Sequence, residues 1–179
     1  GQPFILAPWE RAFHECIFGW VDDAGLRRYR EALLYVGKKT GKTSYAAALM
    51  LTLWLLADEP GMEFYSAAAS QKQAGLLFQH VAGMIRQEPE LKQRFTIYGA
   101  SGGAQQKSVS RESKFSFYRC LASDADTADG VSPSMNLIDE VHRHKNAELA
   151  DVLRRSTAAR PQALTLYTTT ADFNRPSLC

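Results

Sequence analysis

Between the apolar run Leu33-Leu34-Tyr35-Val36 and an Ala/Leu-rich stretch from about Lys42 to Asp58 lies one short segment, Gly37-Lys38-Lys39-Thr40-Gly41-Lys42-Thr43. A strand, a tight glycine-bearing loop and a buried helix in that order restrict the chain to folds in which a strand feeds directly into a helix. The pattern then repeats. Glu63 to Ala68 reads as a strand, and Ser70 to about Glu88 as a helix with Ser70 in the capping position. Met135 to Asp139 is a third strand, Ala147 to about Ser156 a helix, and Ala163 to Thr169 a β-rich final strand. Upstream, Pro8 to Gly19 has a proline in its first turn and a glycine at its end, which predicts a capped helix. Gly99 to Gly103 is loop-like, and alternating segments on either side of Arg111-Glu112-Ser113 predict a β-hairpin insertion around 108–121. Strands alternating with helices imply an α/β fold of three layers, α/β/α, with a mostly parallel central sheet.

The chain has 179 residues, enough for one ordinary core, and a single domain over 1–179 is expected. A composition that is 45% hydrophobic and 22% charged excludes disorder and fibrous repeats. The net charge of +2 is far from that of a dedicated nucleic-acid binder. Three cysteines, Cys16, Cys120 and Cys179, signal neither a disulfide framework nor a zinc knuckle. The longest apolar run, Ala46 to Ala57, is broken by Thr52 and falls short of the roughly 20 residues that span a bilayer. With no secretory signature in Gly1-Gln2-Pro3-Phe4, a cytoplasmic protein with no membrane partner is expected.

The loop of Gly37 to Thr43 has the parts of a phosphate-binding turn. A glycine lets backbone N–H groups approach an anion, and the following helix N-terminus adds partial positive charge. Lys42 would then reach the β and γ phosphates of a nucleotide, and the Thr43 hydroxyl would ligate Mg²⁺. Against the standard G-x-x-x-x-G-K-[ST] pattern the loop is one residue short, because Val36 stands where the first glycine belongs. A basic turn that merely caps a helix is the alternative. Downstream, Leu137-Ile138-Asp139-Glu140 is an apolar strand ending in two acids, which suits one carboxylate for the metal, Asp139, and one for the attacking water, Glu140. Strand alternation would send these two side chains to opposite faces unless the backbone turns after Asp139. His142 completes a DEVH order that matches either a DExH helicase series or a structural imidazole.

With these motifs in place, the chain resembles the ATPase domain of tailed-phage large terminases, P-loop NTPases of the additional-strand, catalytic-glutamate class. Their phosphate loop also departs from the standard pattern and carries a basic residue after its first position, here Lys38. The resemblance extends to Pro8-Trp9-Glu10, Ala67-Ala68-Ala69-Ser70-Gln71-Lys72-Gln73-Ala74, Asp129-Gly130-Val131-Ser132-Pro133-Ser134 and Thr168-Thr169-Thr170-Ala171, in that order. It implies ATP and Mg²⁺ as cofactors. Gly37, Lys38, Lys39, Thr40, Gly41, Lys42, Thr43 and Ser44 would hold the nucleotide, Thr43 and Asp139 the metal, and Glu140 the water, with Lys42 and Lys38 neutralising phosphate charge. Thr168, Thr169 and Thr170 would form the coupling motif that senses the γ-phosphate. Glu10 stands where the family has glutamine, and an ionised carboxylate can accept a hydrogen bond from adenine but cannot donate one.

The implied function is an ATPase motor that drives double-stranded DNA, without sequence preference, into a procapsid in the infected bacterial cytoplasm. The implied partners are portal protein, small terminase subunit and a ring of like subunits. One of Arg111, Arg119, Arg143, Arg154 and Arg155 would be the arginine given to a neighbouring subunit. Full terminases continue into a nuclease domain, and no second carboxylate constellation is read here, so DNA cutting is not expected from this chain. A helicase-like DExH translocase and a nucleotide-binding scaffold without turnover stand as alternatives. Lys107, Arg111 and Lys114, and the group Arg154, Arg155 and Arg160, either meet DNA phosphates or form ordinary solvated faces.

Overall fold

A computed structural model describes residues 3–57, 59–68, 71–99, 107–121, 130–141 and 148–170. Helix α1 (Pro8–Phe18) precedes strand β1 (Glu31–Tyr35), and helix α2 (Lys42–Leu56) leads into β2 (Glu63–Ala67). Helices α3 (Gln71–Gln87) and α4 (Pro89–Arg94) then precede β3 (Thr96–Tyr98), β4 (Ser108–Arg111) and β5 (Ser116–Leu121). The chain closes with β6 (Pro133–Ile138), α5 (Glu148–Ser156) and β7 (Leu164–Thr169).

These strands form one sheet in the order β1-β7-β6-β2-β5-β4-β3. The five from β1 to β5 in that order are parallel, and β4 and β3 add antiparallel pairs at the far edge. Every residue of β6 is buried, as expected for a central parallel strand covered on both faces. The expected hairpin is present, and it is more deeply built in than an insertion, since β5 pairs with β2 inside the parallel run. Its turn is a single 3₁₀ turn, Glu112–Lys114, followed by Phe115 at φ 52.

One face of the sheet carries α2 and α3, whose Ala, Leu and Met side chains pack with Phe64, Tyr118, Met135 and Leu166. At the centre of that layer Trp54 is fully buried, stacks on Phe64 at 4.6 Å and meets the edge of Phe95 at 4.8 Å. Its indole N–H donates to Ser116 Oγ at 2.8 Å, which gives the ring the polar partner a buried tryptophan needs. The other face carries α5, whose Leu149, Ala150 and Leu153 cover Tyr65, Ala67 and Ile138. Asn136 donates to Leu153 O at 2.8 Å and ties β6 to that helix.

Two elements go beyond the sequence reading. Pro89 lacks an N–H and suits a first helical turn, so the helix expected to run to Glu88 ends at Gln87 and α4 starts afresh. Phe95 then leads into β3, a strand of three residues that is too short to alternate legibly. Ser70, expected to cap α3, lies outside the described residues. Among those residues no helix is both long and apolar enough to cross a membrane.

Candidate nucleotide site

Parallel strands deliver their carboxyl ends to one edge of a sheet, and there the loop that follows β1 meets the ends of β6 and β7. The loop after β1 leaves the ladder just past the Val36 N–H bond to Thr169 O at 3.3 Å. Thr40 Oγ1 donates to Gly37 O at 2.9 Å and closes the turn. Lys39 at φ 64 and Gly41 at φ 87 both lie in the left-handed region. Gly41 is the residue that caps α2, and glycine adopts that conformation without steric cost.

Among the described residues the amino end of α2 has no side-chain cap, and its first turn carries no acidic residue. Its leading N–H groups are therefore presented to an external acceptor, with the helix dipole behind them. Lys38, Lys39 and Thr40 are exposed on the loop, Thr43 is half-buried, and Lys42 is buried. This donor set fits a polyphosphate: uncapped amides, a hydroxyl and several ammonium groups, with no competing anion in the turn itself.

Facing it, the Asp139 N–H donates to Ala67 O at 2.9 Å and extends β6 by one ladder bond. Asp139 then lies on the α2 side of the sheet, two residues beyond Leu137. The backbone turns at once, for Glu140 sits at φ 52. A left-handed conformation at a non-glycine residue costs on the order of 1–3 kcal/mol and persists where its surroundings hold it. Here the Glu140 N–H donates to Asp139 Oδ1 at 2.9 Å, and Lys42 Nζ donates to Glu140 Oε1 at 2.5 Å. The turn thus brings the two acids, which alternation alone would separate, into one cleft with the loop lysine.

Thr168 on β7 donates its hydroxyl to the same Asp139 Oδ1. Thr169 and Thr170 are buried, with Thr169 Oγ1 3.4 Å from Thr170 O and the Thr170 hydroxyl without a hydrogen-bond partner among the described residues. Ser44 turns its hydroxyl away from the loop, to His80 Nδ1 on α3 at 3.2 Å. Glu10 is buried beside the loop. Its Oε2 accepts the Ala7 N–H at 2.8 Å and caps α1, and its Oε1 is the atom nearest to where a Gly41 side chain would project. Trp9 and Phe13 pack edge-on to Tyr45, whose phenol burial pushes up, with the Glu10 carboxylate adding to the shift.

A buried polar line behind Asp139 escaped the sequence reading. Tyr118 OH lies 2.8 Å from Ser66 Oγ and 3.2 Å from Cys120 Sγ. Burial drives the Tyr118 phenol well above its ordinary range, the neighbouring Cys120 adds to this, and the charge of Asp139 contributes further. A serine at the centre of an apolar strand, Phe64-Tyr65-Ser66-Ala67, was the available signal.

The candidate arginines separate in space. Arg111 is buried at the far end of α2, where it donates to Trp54 O at 3.2 Å, so its chemistry is that of a helix terminus remote from the loop. Arg154 meets Glu31 at 3.7 Å, at the amino end of β1 and so at the far end of the strand that leads into the loop. Arg160, read as a solvated or DNA-facing group, instead binds Glu59 and Gly61 O at 2.5 Å each, together with Ser132 O at 3.1 Å. Arg119 is exposed and stacks over Phe117 at 4.2 Å. His142 and Arg143 lie outside the described residues.

Comparison with known proteins bears on the family and the fold. The family described as terminase large subunit, ATPase domain, matches residues 8–179. The terminase large subunit of Lactococcus phage p2 is 24% identical over 181 residues, covering 97% of this chain and 32% of that protein. The corresponding protein of Enterobacteria phage HK97 is 24% identical over 182 residues, covering 99% of this chain and 34% of its own length. The crystal structure of the HK97 large terminase superposes with a TM-score of 0.78 at 22% identity, over 94% of this chain and 34% of that one. The chain therefore spans about a third of the length of these relatives. With nearly its whole length matched, the chain belongs to the terminase large subunit family and corresponds to its ATPase domain.

Proposed function

We propose that this chain binds ATP with Mg²⁺ and hydrolyses its β–γ phosphoanhydride, and that this turnover drives double-stranded DNA into a procapsid. The observation that carries the reading is the meeting of Lys42 and Glu140 at 2.5 Å, two residues 98 positions apart, at the mouth of an uncapped helix. Residues 1–179 act in this reading as one ATPase domain.

The amides of the Gly37–Thr43 loop and of the first turn of α2 cradle the phosphates, and Lys42 exchanges its carboxylate partner for phosphate oxygens. Thr43 and Asp139 would hold Mg²⁺, which supplies charge neutralisation across the phosphate oxygens. Glu140, released from Lys42, orients a water in line with the γ-phosphorus and takes its proton. The new P–O bond forms as the bond to the bridging oxygen breaks, giving ADP and inorganic phosphate. Lys38, exposed on the loop, neutralises charge on the γ-phosphate. Glu10 accepts from the adenine amino group through the oxygen not spent on Ala7.

Family membership supports the wider role: DNA held without sequence preference, portal protein and small terminase subunit as partners, and a ring of copies as the working motor. The Glu140→Gln chain tests the chemistry. It keeps nucleotide binding and loses turnover by about 10²–10⁴-fold, the usual contribution of a general base. Equal measurable turnover in Glu140→Gln and the parent chain would remove Glu140 as the base, and nucleotide binding without turnover in both would leave a binding module.

A further inference from the structure

Thr168 belongs to a run of three threonines that looks uniform in sequence, and the structure separates its members. The β6–β7 register pairs Ile138 with Tyr167, so the next residues along the two strands, Asp139 and Thr168, are lateral neighbours on the α2 face. There the Thr168 hydroxyl donates to Asp139 Oδ1, 29 residues away, and the Glu140 N–H donates to the same oxygen at 2.9 Å. Two donors on one carboxylate oxygen fix the plane of the group and determine where its other oxygen is presented. Thr168 is 1% exposed, and Leu164 and Leu166 precede it on the same face, where an apolar side chain would be the ordinary occupant. A buried hydroxyl at such a position is retained for its hydrogen bond.

We propose that Thr168 is a positioning residue for Asp139: it sets the orientation of the carboxylate that receives the divalent ion, and it is not itself a phosphate contact. The inference rests on the nucleotide-site reading above and deepens it, by setting the carboxylate holder, Thr168, apart from Thr170, whose buried hydroxyl has no partner among the described residues. Groups that orient a metal ligand from behind it typically change metal affinity by 10–100-fold when removed.

The test is a Mn²⁺ titration of the chain in the presence of ADP, followed by the electron paramagnetic resonance signal of free Mn²⁺, with ADP affinity measured separately in excess chelator. Thr168→Val keeps the branched shape and deletes the donor. It should weaken Mn²⁺ binding by about 10-fold or more and leave metal-free ADP affinity unchanged, and Thr168→Ser should restore Mn²⁺ binding. Unaltered Mn²⁺ affinity in Thr168→Val overturns the assignment. So does parallel loss of metal-free ADP binding and Mn²⁺ binding, which marks a structural role in the strand. A parent chain that binds neither ADP nor Mn²⁺ overturns the site reading itself, an outcome distinct from both.

Discussion

Gly41 carries a conformational demand at the site itself, because its φ of 87 begins the helix that faces the acids. Among the described residues nothing crowds the position, since Glu10 Oε1 at 4.0 Å is the nearest atom a side chain would meet. The demand is one of backbone conformation alone. Gly41→Val is expected to cost about 1–3 kcal/mol of stability in the left-handed region. It should also weaken nucleotide binding more than that loss explains, because the leading amides of α2 rotate with the cap. Denaturant midpoints and ADP titrations on the same variant separate the two effects. Glu140, held in the same region at φ 52, has the opposite logic. There a side chain is required, and the Asp139 carboxylate and the Lys42 ammonium hold the turn that aims it.

Among the elements, the loops entering β2 and β6 share one guanidinium. Arg160 reaches Gly61 O ahead of β2 and Ser132 ahead of β6, with Glu59 as a half-exposed third partner. Arg160→Met, which keeps the stem and removes the donors, should cost about 1–3 kcal/mol through the lost charged hydrogen bonds to half-buried acceptors. The ion pair with Glu59 adds little where solvent screens it. Thermal unfolding of Arg160→Met beside Glu59→Gln checks the order, with the first lowering the midpoint and the second leaving it nearly unchanged. The elements also mark how far the sequence could be read. Strands β1, β2, β6 and β7 and helices α1, α2, α3 and α5 were legible because each carries its own apolar period, or a run bounded by glycine or proline. Helix α4 and strand β3 were not, since six and three residues are too few to show a period. The candidate site was legible where its pattern is local, in the loop and the acidic pair. The Thr168–Asp139 and Ser66–Tyr118–Cys120 contacts depend on strand order, which no local pattern encodes.

For the whole molecule, the sheet order places β6 and β7 beside the loop-bearing β1, so one edge gathers the loop, the acids and the threonines. At the other end of the same strands the contacts are of a different kind, such as the half-exposed ion pair of Arg154 with Glu31 at the start of β1. The core also sets a pH response. Tyr45, Tyr65, Tyr118 and Tyr167 all have phenols raised by burial above their ordinary value near 10. An acid whose folded pKa is raised keeps its proton in the fold and loses it on unfolding, so the folded state binds more protons above that value. Stability is therefore fully present below pH 10 and falls as pH rises beyond it. Urea midpoints should decline between about pH 9.5 and 11, and a flat profile over that interval would contradict the burial of these phenols.

The central claim is that Lys42 and Glu140 share one cleft built for a triphosphate, and the most direct measurement is a crystal structure of the chain with a non-hydrolysable ATP analogue and Mg²⁺. The account predicts the phosphates over Gly41, Lys42 and Thr43, with the Lys42 ammonium moved from Glu140 to phosphate oxygens and the metal beside Asp139. A nucleotide bound elsewhere, or a Lys42–Glu140 pair unbroken beneath it, would contradict the account.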